Sequence, residues 1–200
     1  MMRSFVIGTA ALCLALVTTG CSRSPRVTFY TLAPGIKGEA PVPERSTPAV
    51  AVGPVTLPEV VDRPQLVVRV AANQVAILES HRWAEPLKSE IPRLIAQNLG
   101  RQLGSSRVSF YQQHSGAGAD YRVLLDIVRL ESVPGEAVTI ESAWTIRRTA
   151  GGTPRTGRSV VREKVEGAGY DALVLACSRA LVSVSAELAK AIRAEEATAR

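Results

Sequence analysis

Cysteine and histidine are scarce in this 200-residue chain, with three of the first and two of the second. Neither histidine, His81 or His114, has a partner at metal-ligand spacing, and no HxxxH, CxxC or HExxH occurs. Zinc sites draw their ligands from such sets, so no metal and no cofactor is expected. Aromatic residues make up only 4% of the chain, and no long block of like charges is interleaved with them. The net charge of +6 therefore reads as scattered surface arginine, and no nucleic-acid partner is expected. No nucleophile elbow (GxSxG) is present. Gly116-Ala117-Gly118 precedes a strand-like segment, so it lacks the helix N-terminus that a phosphate cradle uses. Glu85 and Glu90 share a helical segment and read as a solvated face, with no second acid set against them. These absences argue against an enzyme.

What is there begins at the N-terminus. Arg3 is followed by an uncharged, mostly apolar run from Phe5 to Val17, then by Thr18, Thr19, Gly20 and Cys21. A basic start, an apolar run of about 7–15 residues and small residues at the cut mark a secretory signal. The run is shorter than the roughly 20 residues of a membrane-spanning helix. Small residues immediately before Cys21 resemble the lipobox of bacterial lipoproteins, although Thr18 stands where that motif most often has Leu. The resemblance implies that Cys21 carries acyl chains such as palmitate and becomes the first mature residue. Each buried methylene of such a chain contributes roughly 0.8 kcal/mol, so several chains anchor stably. In enteric-type bacteria an Asp after the cysteine resembles an inner-membrane retention signal. Ser22 stands there instead, so the outer membrane, periplasmic face, is expected. With Cys13 in the signal and Cys21 lipidated, only Cys177 remains, and no disulfide forms in the mature domain. Cys177 lies on an apolar helical stripe and reads as a small buried hydrophobe.

The mature chain divides into a lipidated N-terminus with a short strand and a Pro-rich stretch (21–48), a domain (49–193) and a polar tail (194–200), after a signal peptide (1–20). Arg26–Leu32 reads as a strand. Residues 33–48 hold four prolines and two glycines and read as a loop or tether, long enough to let the folded part move from the lipid. Strands are expected at Val50–Val55, Gln65–Val70, Val75–Glu79, Val108–Tyr111, Tyr121–Leu130, Val138–Ile146 and Ser159–Glu166, the last as an edge. Turns fall at Pro134-Gly135 and Gly151-Gly152. A first helix is expected from about Ala84 to Leu103, with Leu87, Ile91, Leu94, Ile95, Leu99 and Leu103 on one face and Lys88, Glu90 and Arg93 mainly on the other. Pro86 suits its first turn, Pro92 either delays or kinks it, and Gly104 stops it. A second helix is expected from about Asp171 to Ile192, with the stripe Leu173, Cys177, Leu181, Val184, Leu188 and Ile192. The fold class is α+β: a single domain with an antiparallel meander sheet and two amphipathic helices packed on one face.

Four segments carry a family resemblance: Phe29-Tyr30-Thr31-Leu32, Val52-Gly53-Pro54-Val55 with Leu57-Pro58, Asp62-Arg63-Pro64-Gln65, and Arg82-Trp83-Ala84-Glu85-Pro86-Leu87. In residues, order and spacing the chain resembles the PqiC-type lipoproteins, of the auxiliary lipoprotein family of ABC-type and MCE-type lipid transport systems. The resemblance implies an outer-membrane lipoprotein that docks a periplasmic MCE-domain tunnel protein, itself joined to an inner-membrane partner. It implies support of membrane integrity and self-assembly into a homo-oligomeric ring. No chemistry falls to the lipoprotein in that picture.

Four residues are candidate contacts: Arg63, Arg82, Trp83 and Glu85. Trp83 is either an anchor in an interface, where Trp and Arg are enriched, or a ring packed over the helix start. Asp62-Arg63-Pro64 is either a contact loop or a turn closed by its own ion pair. Two other functions compete with the transport reading. One is a stand-alone envelope lipoprotein that binds peptidoglycan or a small apolar ligand. The other is a periplasmic hydrolase, which would need His81 or His114.

Overall fold

The computed structural model describes residues 25–34, 47–110 and 118–198. Cys21, His114 and the stretch 35–46 lie outside the described residues. Among the described residues, eight strands and two helices follow one another as β1 (Thr28–Tyr30), β2 (Val50–Thr56), β3 (Gln65–Ala71), β4 (Gln74–Trp83), α1 (Leu87–Leu103), β5 (Val108–Phe110), β6 (Tyr121–Val133), β7 (Ala137–Arg148), β8 (Arg155–Lys164) and α2 (Gly169–Thr198). The class is α+β, as the hydrophobic patterning implies.

The strands form two sheets. Five strands run in the order β5-β2-β6-β7-β8, and three in the order β1-β4-β3. The run β6-β7-β8 is the expected antiparallel meander, and β8 is an edge, as its mixed pattern suggests. The other neighbours are a finding of the structure. β2 is parallel to both β5 and β6, and β1 is parallel to β4. Val50 and Val52 are fully buried and Ala51 nearly so, the continuous apolar reading of a strand with neighbours on both sides.

Alternation sets the faces. Tyr121, Val123, Leu125 and Ile127 point inward, as the period of two requires. A bulge between Ile127 and Arg129 then shifts the register by one. It keeps Arg129 out and brings Leu130 in. Both helices cover this inner face: α1 lies against β2 and β5, α2 against β6, β7 and β8, and each touches the other.

α1 opens at Leu87 behind Pro86 and closes on Gly104, whose φ of 65° is left-handed. There the Ser105 N–H donates to the Gly100 carbonyl at 2.8 Å, a closure that a side chain at Gly104 would strain. Pro92 lies inside the helix, where it forgoes one backbone hydrogen bond. α2 runs past the expected end, from Gly169 to Thr198, and Arg155 of β8 meets Glu195 on it at 3.1 Å. α2 is long and apolar enough to cross a membrane, but 67% of its most apolar window is buried in the protein. Leu181, Val184, Leu188 and Ile192 are fully buried against the sheet and α1, so α2 is the core helix of this domain.

Candidate functional site: the anchored lead and the start of helix α1

The N-terminal lead is part of the domain. β1 pairs with β4 in the register Thr28↔His81, Phe29↔Arg82, Tyr30↔Trp83, and the Ala84 N–H donates to the Tyr30 carbonyl at 2.8 Å. Past the strand, Leu32 enters the core. Its N–H donates to Oε1 of Glu90 on α1 at 2.8 Å, and the next N–H, of Ala33, donates to Oγ of Ser178 on α2 at 3.0 Å. One strand pairing, one core side chain and two side-chain acceptors hold the lead across both helices. The Pro-rich stretch therefore joins two packed pieces, Leu32 and Val50. The slack expected for residues 33–48 as a tether does not separate the domain from its N-terminus.

Glu90 corrects a second expectation. It was placed on the solvated face of α1, yet it is 2% exposed. Burial raises its pKa above the usual carboxylate range, against the lowering effect of the Leu32 N–H and of Arg93. The Arg93 guanidinium is 3.9 Å away, and Oε2 has no hydrogen-bond partner among the described residues. The cover comes from the lead, a piece of chain 58 residues upstream. The spacing carried a signal: Leu87, Glu90 and Leu94 fall at steps of three and four, on the rim of the apolar stripe. Ser178, the second clasp, carried none.

The four candidate contacts separate by depth. Trp83 is buried within the chain, 9% exposed, in the core with Leu66 and Leu87. Its ring, with Cys177, Leu130 and Leu173, borders a cavity of about 10 Å³. That is room for no more than one water, since a single probe sphere needs about this volume. Arg82 points from the opposite face of β4, with Nη2 3.2 Å from Glu79 Oε2. Glu85 stands at the start of α1, 2.8 Å from Arg93 Nη1. Asp62-Arg63-Pro64 is the bend that follows a turn, in which the Val61 and Asp62 N–H groups both donate to the Pro58 carbonyl, at 3.0 and 3.1 Å. The ion partner of Asp62 is Lys88 of α1 rather than its own neighbour Arg63. Arg63 is half-buried, and its Nε is enclosed with no hydrogen-bond partner among the described residues.

Two further groups have settled roles. Cys177 is a free, buried thiol, as its place on the stripe implies. Burial, and secondarily the nearby Glu90 carboxylate, pushes its pKa up to about 12, so it is no nucleophile. His81 accepts or shares the Tyr30 hydroxyl hydrogen bond at Nδ1, 2.9 Å away, and its ring lies 4.4 Å from that of Tyr170. It ties β1, β4 and α2 together.

The polar groups described here hold one part of the chain to another. The domain is a scaffold with a clasped N-terminal lead. A family model described as "ABC-type transport auxiliary lipoprotein component" matches residues 30–189, and the chain belongs to that family. The family is one of transport auxiliary lipoproteins and not an enzyme class. Two crystal structures share the fold. One, of an uncharacterized protein, superposes with a TM-score of 0.68 at 19% identity, over 84% of this chain and 99% of its own. The other, of protein XCC0632 from Xanthomonas campestris, gives a TM-score of 0.69 at 17% identity, over 87% and 100%. No curated protein matches the chain in sequence.

Proposed function

We propose that this protein is the outer-membrane lipoprotein subunit of an MCE-type, Pqi-like intermembrane lipid transport system. Acyl chains on Cys21 hold it to the periplasmic face of the outer membrane. Its domain docks the tip of a periplasmic MCE-domain tunnel protein, whose other end meets an inner-membrane partner. The family carries this reading: it is named for an auxiliary lipoprotein of ABC-type transport. The lead supports it, because a lipidated N-terminus transmits position to a partner only when the chain behind it is fixed. The lipoprotein holds and docks, and performs no chemistry.

The rim at the start of α1 is the proposed contact with a neighbour in a homo-oligomeric ring or with the tunnel. Asp62, Arg63, Glu85 and Lys88 surround it, while Trp83 beneath sets their positions from within the core. Charged rims of this kind set orientation and choice of partner more than raw affinity.

Crosslinking in cells tests the reading. A photo-crosslinker at position 85 is expected to capture an MCE-domain protein or a second copy of this chain. Recovery of the protein with inner-membrane fractions alone, and with neither product, overturns it.

A further inference from the structure

The surface around β1 carries an exposed aromatic ring at the point where the chain leaves for its N-terminus. Phe29 is 63% exposed, and Val27 is 40% exposed. Phe29 is one of only three phenylalanines in the chain. It shares a face with Arg82 across the strand pair, opposite to Tyr30 and Trp83. That outward face continues along β4 through the exposed Val75 and Ile77. Solvent-facing aromatic and aliphatic groups gathered on one face mark a contact surface.

The length of chain outside the folded part decides what meets it. β1 begins at Thr28, and the pairing with β4, Leu32 in the core, and the Glu90 and Ser178 bonds hold the lead in place behind it. Seven peptide steps separate Thr28 from Cys21. At about 3.3–3.6 Å per step they span at most about 25 Å. Were the first fixed residue Val50 of β2 instead, the lead would be about four times as long. The lead is also cationic. Arg23 and Arg26 lie between Cys21 and β1, and no acidic residue occurs from Ser22 to Pro34.

Resting on the reading of Cys21 as the lipidated residue, we propose that the β1 face, with Phe29 and Val27 at its edge and Arg26 beside them, lies on the phospholipid surface of the leaflet that holds the anchor. The acyl chains supply the affinity. The short lead brings this face to the headgroups, where an aromatic ring and aliphatic side chains sink to the acyl boundary and arginine meets phosphate. The domain is thereby oriented, with the rim of α1 presented at a fixed angle to the membrane.

The full lipidated chain is reconstituted in vesicles of phosphatidylethanolamine and phosphatidylglycerol. A polarity-sensitive fluorophore is placed at Phe29→Cys and, in a second protein, at Val160→Cys. Val160 is 60% exposed on β8, the edge strand of the other sheet, and the buried Cys177 stays unlabelled in both. The position-29 probe is expected to shift to the blue and to be quenched by nitroxide-labelled lipid several-fold more than the position-160 probe. Equal, water-like signals at both positions, in a protein whose mass shows acyl chains on Cys21, overturn the membrane face and leave the anchor standing. A mass showing an unmodified Cys21 overturns both. Equal shielding of position 29 in a Cys21→Ala protein without vesicles shows that a second copy covers the face, which also overturns the proposal.

Discussion

The carboxylate of Glu90 accepts the backbone N–H of Leu32 across 58 residues of sequence, at 2.8 Å. This one bond joins the lead that runs to the membrane anchor to the first turns of α1. It uses a group that is costly to bury in its ionised form, and burial raises its pKa. The clasp is therefore sensitive both to the acceptor and to pH.

Removing the acceptor leaves the Leu32 N–H buried without a partner. Such an orphan costs about 1–3 kcal/mol. Glu90→Ala is expected to be less stable than Glu90→Gln by about that amount in urea unfolding, because Gln keeps an acceptor oxygen. Limited proteolysis of Glu90→Ala is expected to cleave first within residues 25–34. An equal stability for the two variants sinks the clasp.

The pH dependence has a definite sign. An acid whose native pKa lies above its unfolded value binds its proton more tightly when folded. It therefore favours folding below the unfolded value, about 4.3 for Glu, and this contribution is lost as pH rises from there through the raised native value. Glu90→Gln removes the group. The stability of Glu90→Gln relative to the parent is expected to climb with pH above about 4.3 and then level off. A difference that stays flat from pH 4 to 8 contradicts the burial of this carboxylate.

Gly157 on β8 lies under the Trp144 ring of β7. A methyl at Gly157 would sit 2.1 Å from Trp144 Cζ2, well inside contact distance. The indole is held there by its Nε1–H, which donates to Ser159 Oγ at 3.1 Å. Gly157→Ala is expected to cost about 1–3 kcal/mol as overpacking. Trp144→Leu is expected to relieve part of that cost, which a double-mutant cycle measures as a coupling energy. Additive effects of the two substitutions would contradict the contact.

Thiol chemistry reports on the core. Under the proposed acylation of Cys21, Cys177 is the one thiol left in the mature protein, and its pKa is pushed up to about 12. At pH 8 it is expected to resist a disulfide reagent in the native state. Under denaturant it should react in step with loss of the near-UV signal. A fast reaction in native buffer would mean that α2 opens readily or that Cys21 carries no lipid, and mass spectrometry separates the two.

Helix α2 tests the distinction between a core helix and a membrane span. Leu181 and Leu188 are fully buried, whereas Leu175 is 45% exposed. Leu181→Ala or Leu188→Ala is expected to cost about 2–5 kcal/mol, and Leu175→Ala less than about 1 kcal/mol. Similar small costs at all three positions would mean that α2 is packed otherwise than in this fold.

Much of this was legible locally. The stripe from Leu87 to Leu103, the left-handed stop at Gly104, the Pro134-Gly135 turn and the buried Cys177 each follow from spacing or backbone chemistry within a few residues. Pro54 shows where local reading stops short. A proline inside a strand with neighbours on both sides argues against it locally, yet β2 runs through Pro54 to Thr56, because the register with β6 shifts between Val52 and Val55 and passes over Gly53-Pro54. A residue without an N–H fits such an irregularity. Glu90 shows the same limit on a helix. Its charge argued for water, and only the lead folded over it makes it interior.

By itself the amino-acid sequence determined most of the elements, the apolar stripes that they bury, and the family. These depend on periodicity and on short motifs, which the chain carries wherever it folds. The tertiary structure decided the rest: that the strands part into two sheets, that β2 and β1 pair in parallel, and that the lead is clasped by Glu90 and Ser178. Hydrophobic patterning says that a face must be covered. It does not say which distant segment covers it, because that choice depends on contacts between residues that are neighbours only once the chain has folded.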